Sequence, residues 1–167
     1  MKSNTSILTQ INPELTLSSD TSSLRIISLV PSQTELLHYL GLENEVIGIT
    51  KFCIHPKEWH QSKTRVGGTK QYKMEVIERL EPTLILGNKE ENDKEQVLIL
   101  AKKYPVWISD IKRLEDAYQM ILEVGILVQK QEKAEELVLQ LKASFLGLSS
   151  FDSSTKAAYF IWRAPFM

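Results

Sequence analysis

Short apolar runs alternate with helical patterns along most of this chain. "RIISLV", residues 25–30, is apolar and β-branched, as in a buried strand, and it runs into Pro31, which has no amide hydrogen to give a central ladder. Ser32 and Glu35 then have the S-x-x-E spacing of a capping box, so a helix is predicted from about Gln33. Leu36, Leu37 and Leu40 form its apolar face, and Gly41 supplies the left-handed residue that stops it. "EVIGIT", "TLILG" and "PVWIS" read as three further strands, with "MEVIERLEP" and "EQVLILAKKY" as helices between the later ones. Asn92 and Glu95 repeat the capping spacing ahead of the second of these helices. The order β-α-β-α-β-α-β predicts an α/β fold, an open parallel sheet with helical crossovers, and period-two alternation is nowhere sustained enough for a sandwich.

Three stretches depart from that rhythm. Residues 1–23 are rich in Ser, Thr and Asn without periodicity and read as a flexible or loosely docked arm. Residues 51–73, "KFCIHPKEWHQSKTRVGGTKQYK", read as a long irregular loop, and loops of that length inside compact domains are often functional. Residues 113–147 carry a helical pattern too long for a simple crossover; with Gly125 as a weak point and a polar break at Gln129–Gln131, it predicts two helices or one long bent one. After it, "AAYFIWRAPFM", residues 157–167, is apolar on both faces like a strand covered on two sides.

Composition narrows the function classes. The chain has 167 residues, enough for one domain, and its 20 basic against 21 acidic residues leave no basic field to attract nucleic acid or anionic lipid. The single cysteine, Cys53, excludes an intramolecular disulfide. No signal-type apolar region opens the chain and no membrane-spanning run follows, which as written predicts a soluble, unexported, cytoplasmic protein.

"RIISLVPSQTELLHYLGLENEVIGIT", "RVGGTKQYKMEVIERLEPTLIL" and the long helix after "VWISD" resemble the N-terminal lobe of the periplasmic-binding-protein family for cobalamin, haem and iron-siderophore complexes. The match runs from about Arg25 to the end of the chain and rests on the strand-Pro-Ser-x-Thr-Glu opening, the Gly-Gly-Thr-Lys loop and the element order. The resemblance implies the substrate-binding component of an ABC importer, a non-enzymatic protein of two α/β lobes joined by a helical backbone, with no intrinsic cofactor. It divides the chain into an arm at 1–23, an α/β ligand-binding lobe at 24–112, a connecting helical segment at 113–147, and a linker with the first strand of an absent second lobe at 148–167. Ala134 to about Phe145 then belong to the connecting helix. The chain would be truncated to one lobe, and its tail strand would expose edge groups suited to a homodimer. The family works outside the cytoplasmic membrane, which stands against the absence of a signal segment.

The resemblance also points to site residues. Phe52 matches an aromatic lining the cobalamin cleft, and Thr69 falls where another aromatic occurs, a departure from the corrin pattern. Gly67 and Gly68 let the backbone turn so that Thr69 and Lys70 face the cleft, where Lys70 meets an anionic group of the ligand. Asn88 and Lys89 follow a strand, and ligands of open α/β sheets gather at the carboxyl ends of strands. Glu75 aligns with an exposed glutamate that pairs with arginines of the permease, although a first-turn glutamate also stabilises its helix locally.

Other chemistry is weaker in the residues. "VGGTK" lacks the spaced glycines and the Lys-Ser/Thr ending of a phosphate loop. Cys53, His55 and His60 lie close together without a repeated ligand spacing, so no metal site is assigned to them, and His38 reads as a satisfied, partly buried histidine. No catalytic residue is assigned. Two alternatives stand beside the binding protein: a small flavodoxin-like enzyme domain acting on a phosphorylated substrate, with Asp110 as its strand-end acid, and an interaction module dimerising through Ala157–Met167. Asp110 can equally be a helix cap.

Overall fold

In the computed structural model, the structure describes residues 9–10, 24–148, 154, 156 and 158. The terminal strand read at 157–167, and any dimer through it, therefore falls outside the described residues apart from Ala158.

The strands are β1 (Thr9–Gln10), β2 (Ile26–Ser28), β3 (Val46–Ile49), β4 (Thr64–Arg65), β5 (Leu84–Asn88) and β6 (Val106–Ser109). The helices are α1 (Pro31–Tyr39), α2 (Lys57–Ser62), α3 (Met74–Leu80), α4 (Lys94–Ala101), α5 (Leu114–Leu127) and α6 (Gln131–Leu146). Together the strands form one sheet in the order β1-β6-β5-β2-β3-β4. The five from β2 to β6 are mutually parallel, as the strand-helix alternation predicts. β1, inside the segment read as an arm, adds an antiparallel edge by pairing Thr9 with Ile108 and Gln10 with Trp107. The chain passes outward from β2 to β3 and β4, then returns to β5 on the other side of β2. That reversal between β2 and β5 is the topological switch point, where open α/β sheets leave a crevice at the carboxyl ends of the strands.

Successive residues of β2, β5 and β6 enter two separate cores by turns. Ile26, Leu84, Leu86 and Trp107 pack with α1, α2, α5 and α6, whereas Ile27, Ile85, Val106 and Ile108 pack with α3 and α4. Both faces of the sheet are therefore covered, which is why its strands read as continuous apolar runs rather than as alternating ones.

Several local readings need correction. Helix α1 begins at Pro31 with Val30 as N-cap and no side-chain cap, so Ser32 and Glu35 do not form the predicted box; proline's fixed φ starts the helix ahead of them. Before α4 the cap is Asp93, which accepts from the Gln96 amide at 3.0 Å, and not Asn92. The irregular stretch at 51–73 contains both α2 and β4, elements too short for a legible period. Gly41 ends α1 at φ +83°, as read.

The long segment resolves into a helical hairpin. α5 stops in a Schellman turn, with the Lys130 amide donating to Gly125 O at 2.7 Å and the Gln129 amide to Ile126 O at 3.2 Å. Gln129, at φ +54°, takes the left-handed position. The chain thus breaks at the polar site the sequence marks, while Gly125 is buried within α5 against α6.

Candidate functional site

The loops leaving the carboxyl ends of the parallel strands gather along one edge of the lobe, and a buried polar layer lies beneath them. Thr34 Oγ1, from the first turns of α1, lies 2.8 Å from Ser28 Oγ and 3.1 Å from Cys53 Sγ, and Thr50 Oγ1 lies 3.2 Å from the same sulfur. Gln33 Nε2 donates to Gly87 O at 2.8 Å and to Ser109 Oγ at 3.0 Å, joining α1 to β5 and β6 across the switch point. Hydroxyls and amides suit this layer because strand ends leave backbone groups that must be paired once buried.

Asn92 does more than the sequence suggests. Its Oδ1 accepts from the Asn88 amide at 2.7 Å, while its Nδ2 donates to Leu29 O at 3.3 Å and Thr69 O at 3.2 Å. One buried side chain therefore ties together the loops that follow β2, β4 and β5. Gly87 makes room for it: a Cβ there would sit 2.5 Å from Asn92 Oδ1. Its position after a strand was the available signal, but the capping spacing led elsewhere.

The loop after β4 turns back tightly on itself. Gly67, at φ +114°, bridges to Tyr72, and a Cβ on Gly67 would lie 2.4 Å from Gln71 O. Both the handedness and the close approach therefore require glycine. Gly68 N donates to Gln71 O at 2.8 Å, and a Cβ on Gly68 would meet Phe52 Cε2 at 3.3 Å, so the second glycine lets the aromatic ring lie over the turn. Tyr72 anchors the turn by donating its hydroxyl to Thr69 O at 2.8 Å; burial raises its pKa well above that of an ordinary phenol, so it remains a donor.

Of the residues singled out from the sequence, Phe52, Thr69 and Lys70 come together around one open concavity of about 670 Å³, joined by Lys51, Tyr72 and Lys73. Phe52 is 50 % exposed and does not pack beneath the loop. Lys51 Nζ stands 5.0 Å from its ring centroid, a cation-π distance. Asn88 and Lys89 instead line a second hollow with Val97, Leu98 and Ile108. There Asn88 is occupied in shaping its own turn, its Oδ1 accepting from the Glu90 amide at 2.8 Å. Lys89 is held by Asp110 at 2.6 Å. Glu75 lies exposed in the first turn of α3, immediately after the glycine turn.

Asp110 caps no helix, since α5 begins at Leu114, with Arg113 as its N-cap. The hydrogen bond from Lys89, and after it the charge of Lys112, hold the Asp110 carboxyl below its ordinary pKa. A group kept ionised in this way is poorly suited to donate a proton as a general acid. Cys53 is buried between threonine hydroxyls, His55 is exposed, and His60 Nδ1 lies 3.2 Å from Cys53 O. His38, read as partly buried, is exposed and meets Trp59 edge to face at 5.2 Å between ring centroids. Among the described residues no helix is long and apolar enough to cross a membrane.

Comparison with known proteins places this architecture. The family described as "Periplasmic binding protein" matches residues 26–162. An uncharacterized ABC transporter substrate-binding lipoprotein of Bacillus subtilis is 28% identical over 123 residues, covering 71% of this chain and 38% of that protein. A vitamin B12-binding protein of Pectobacterium atrosepticum is 26% identical over 136 residues, covering 81% of this chain and 48% of that protein. Among solved structures, the periplasmic heme-binding protein RhuT from Roseiflexus sp. RS-1 in apo form superposes with a TM-score of 0.67 at 26% identity, over 74% of this chain and 48% of its own. The chain thus spans half or less of the length of each of these relatives.

Proposed function

The chain belongs to the periplasmic binding protein family, and from that premise we propose that it is the ligand-binding lobe of an ABC-importer substrate-binding protein for a metal chelate or cobalamin-like compound. The observation that carries this reading is the convergence of Phe52, Gly68, Thr69 and Lys70 on one concavity at the carboxyl edge of the sheet. A half-exposed aromatic ring beside cationic side chains, over a floor fixed by buried hydrogen bonds, suits a large rigid ligand with a flat face and polar substituents. It gives no support to Asp110 as a catalytic acid, since that carboxylate is engaged by Lys89 and Lys112.

In this reading the chain supplies one wall of a cleft and works on the extracytoplasmic side of the membrane. A two-walled complex of about 1 μM represents about 8 kcal/mol, so half of that interaction gives a dissociation constant of about 1 mM. Titration of ¹⁵N-labelled protein with cyanocobalamin, haemin or a ferric siderophore is expected to shift the amides of Phe52 and Gly67–Lys70, with affinity near that value. If millimolar concentrations of all three leave these amides unmoved, the reading fails.

Glu75 is proposed as the contact to the permease. It is exposed, beside the glycine turn, and its charge would pair with permease arginines when the lobe docks. Charge reversal, Glu75→Arg, is expected to weaken capture of the protein by its detergent-solubilised permease about tenfold without changing its unfolding midpoint. Unchanged capture would remove Glu75 from the docking surface.

A further inference from the structure

The concavity after β4 is unusual in its charge. Lys51, Lys70 and Lys73 all line it, and no aspartate or glutamate does. None of the three has an ion-pair partner among the described residues. Lys51 is instead drawn over the Phe52 ring. For a chain of net charge -1, three unpaired ammonium groups around one hollow are a local field and not a general property of the surface. The backbone holds this arrangement in place: the Lys51 amide donates to Gly67 O and the Lys73 amide to Val66 O, each at 2.8 Å, so Lys73 sits on a stem of the glycine turn, Lys70 at its tip, and Lys51 on the loop after β3 that is paired to it.

We infer that this hollow receives the carboxylate-bearing side of an anionic metal chelate, with Phe52 against the flat or apolar part and Lys51, Lys70 and Lys73 around the acid groups, and that it discriminates against uncharged corrinoids. This rests on the proposed chelate-binding function and narrows its ligand class. Ammonium groups are well matched to carboxylates by charge, and together the three can follow acids at different spacings because their stems are flexible. A neutral corrinoid would crowd the same ammonium groups without any opposite charge to offset their lost hydration. Propionates on a porphyrin and the free acids of a polycarboxylate iron chelate share the required chemistry.

The test compares gallium(III) protoporphyrin IX, its dimethyl ester, gallium(III) citrate and cyanocobalamin, each titrated into the ¹⁵N-labelled chain and into Lys51→Gln/Lys70→Gln/Lys73→Gln. At least one acidic probe is expected to bind the native chain more tightly than the ester or cyanocobalamin. Its affinity should fall about 30-fold in the triple variant, at roughly threefold for each of the three exposed pairs, and should also fall on raising salt. Lys102→Gln, at the opposite end of α4, should leave the affinity unchanged. Whichever acidic probe binds more tightly, porphyrin or citrate, identifies the source of the carboxylates. Binding of the ester or cyanocobalamin as tight as that of the acids, or a triple variant equal to the native chain, would overturn the inference while leaving chelate binding intact. Absence of any shift with all four probes would overturn both.

Discussion

Trp59→Ala is expected to destabilise the protein by about 3–5 kcal/mol, the usual cost of emptying a large aromatic site. The indole is fully buried although it belongs to a helix of only 6 residues, with exposed Glu58 on one side and half-buried His60 on the other. It packs in the core shared by α1, β3 and α5, with the His38 ring at its edge and Lys63 Nζ 5.2 Å from its centroid. Its N–H donates to the Glu43 carboxylate, in the turn after α1. So short a helix has no stability of its own, and its position depends on this one side chain. Trp59→Phe keeps most of the burial and gives up the hydrogen bond, so its cost should be nearer 1–2 kcal/mol. Guanidinium unfolding followed by circular dichroism separates these outcomes; a loss below about 1 kcal/mol for the alanine variant would mean that α2 is held by something other than Trp59.

Gly125→Leu is expected to cost about 3 kcal/mol or more. Gly125 lies where α5 crosses α6, and a Cβ built on it would stand only 2.4 Å from Ala134 Cβ, so any side chain forces the helices apart. The damage would not stay local, because Val124, Val128, Ala134 and Val138 belong to the same core as the sheet residues Ile26 and Leu86. Gly125→Ala is the instructive companion: it gains about 1 kcal/mol of helix propensity and loses more than that to overlap. Adding Ala134→Gly should restore much of the lost stability, since it removes the atom being struck. Additive losses in the double variant would show that the two sites are not in contact.

The sequence carried different parts of this picture with different clarity. Buried parallel strands are legible because both faces are apolar, so β2, β5 and β6 stand out as unbroken runs even at 3 to 5 residues. β4, at 2 residues, and α2, at 6, contain fewer than two full periods, and their identity comes from tertiary contacts made by Trp59 and Val66. Caps were misread for a related reason. An S-x-x-E spacing shows that a box can form, but the backbone angle set by Pro31 decides where the helix begins. At the candidate site, Thr69 and Lys70 could be singled out because a glycine pair marks a turn whatever surrounds it, whereas Phe52, 15 residues before that pair, was pointed to by the family resemblance alone. Asn88 and Lys89 were placed correctly at a strand end, yet their partners, Ser109 and Asp110, are 21 residues away and invisible to local spacing. Asn92 was hidden by the same long-range logic.

The Asn92 amide has a consequence for how such a lobe can change its preferences. Because this one side chain clasps the roots of three loops, the loops keep their relative positions whatever residues occupy their tips. Lys70, on the loop after β4, and Lys89, on the loop after β5, can then be exchanged as fingertips on a fixed hand, each altering what is grasped without disturbing the grip of the other. A scaffold with its frame and its reading surface separated in this way can drift from one cargo to another by single, independent steps, while the amide at its root cannot be replaced without loosening all three fingers together.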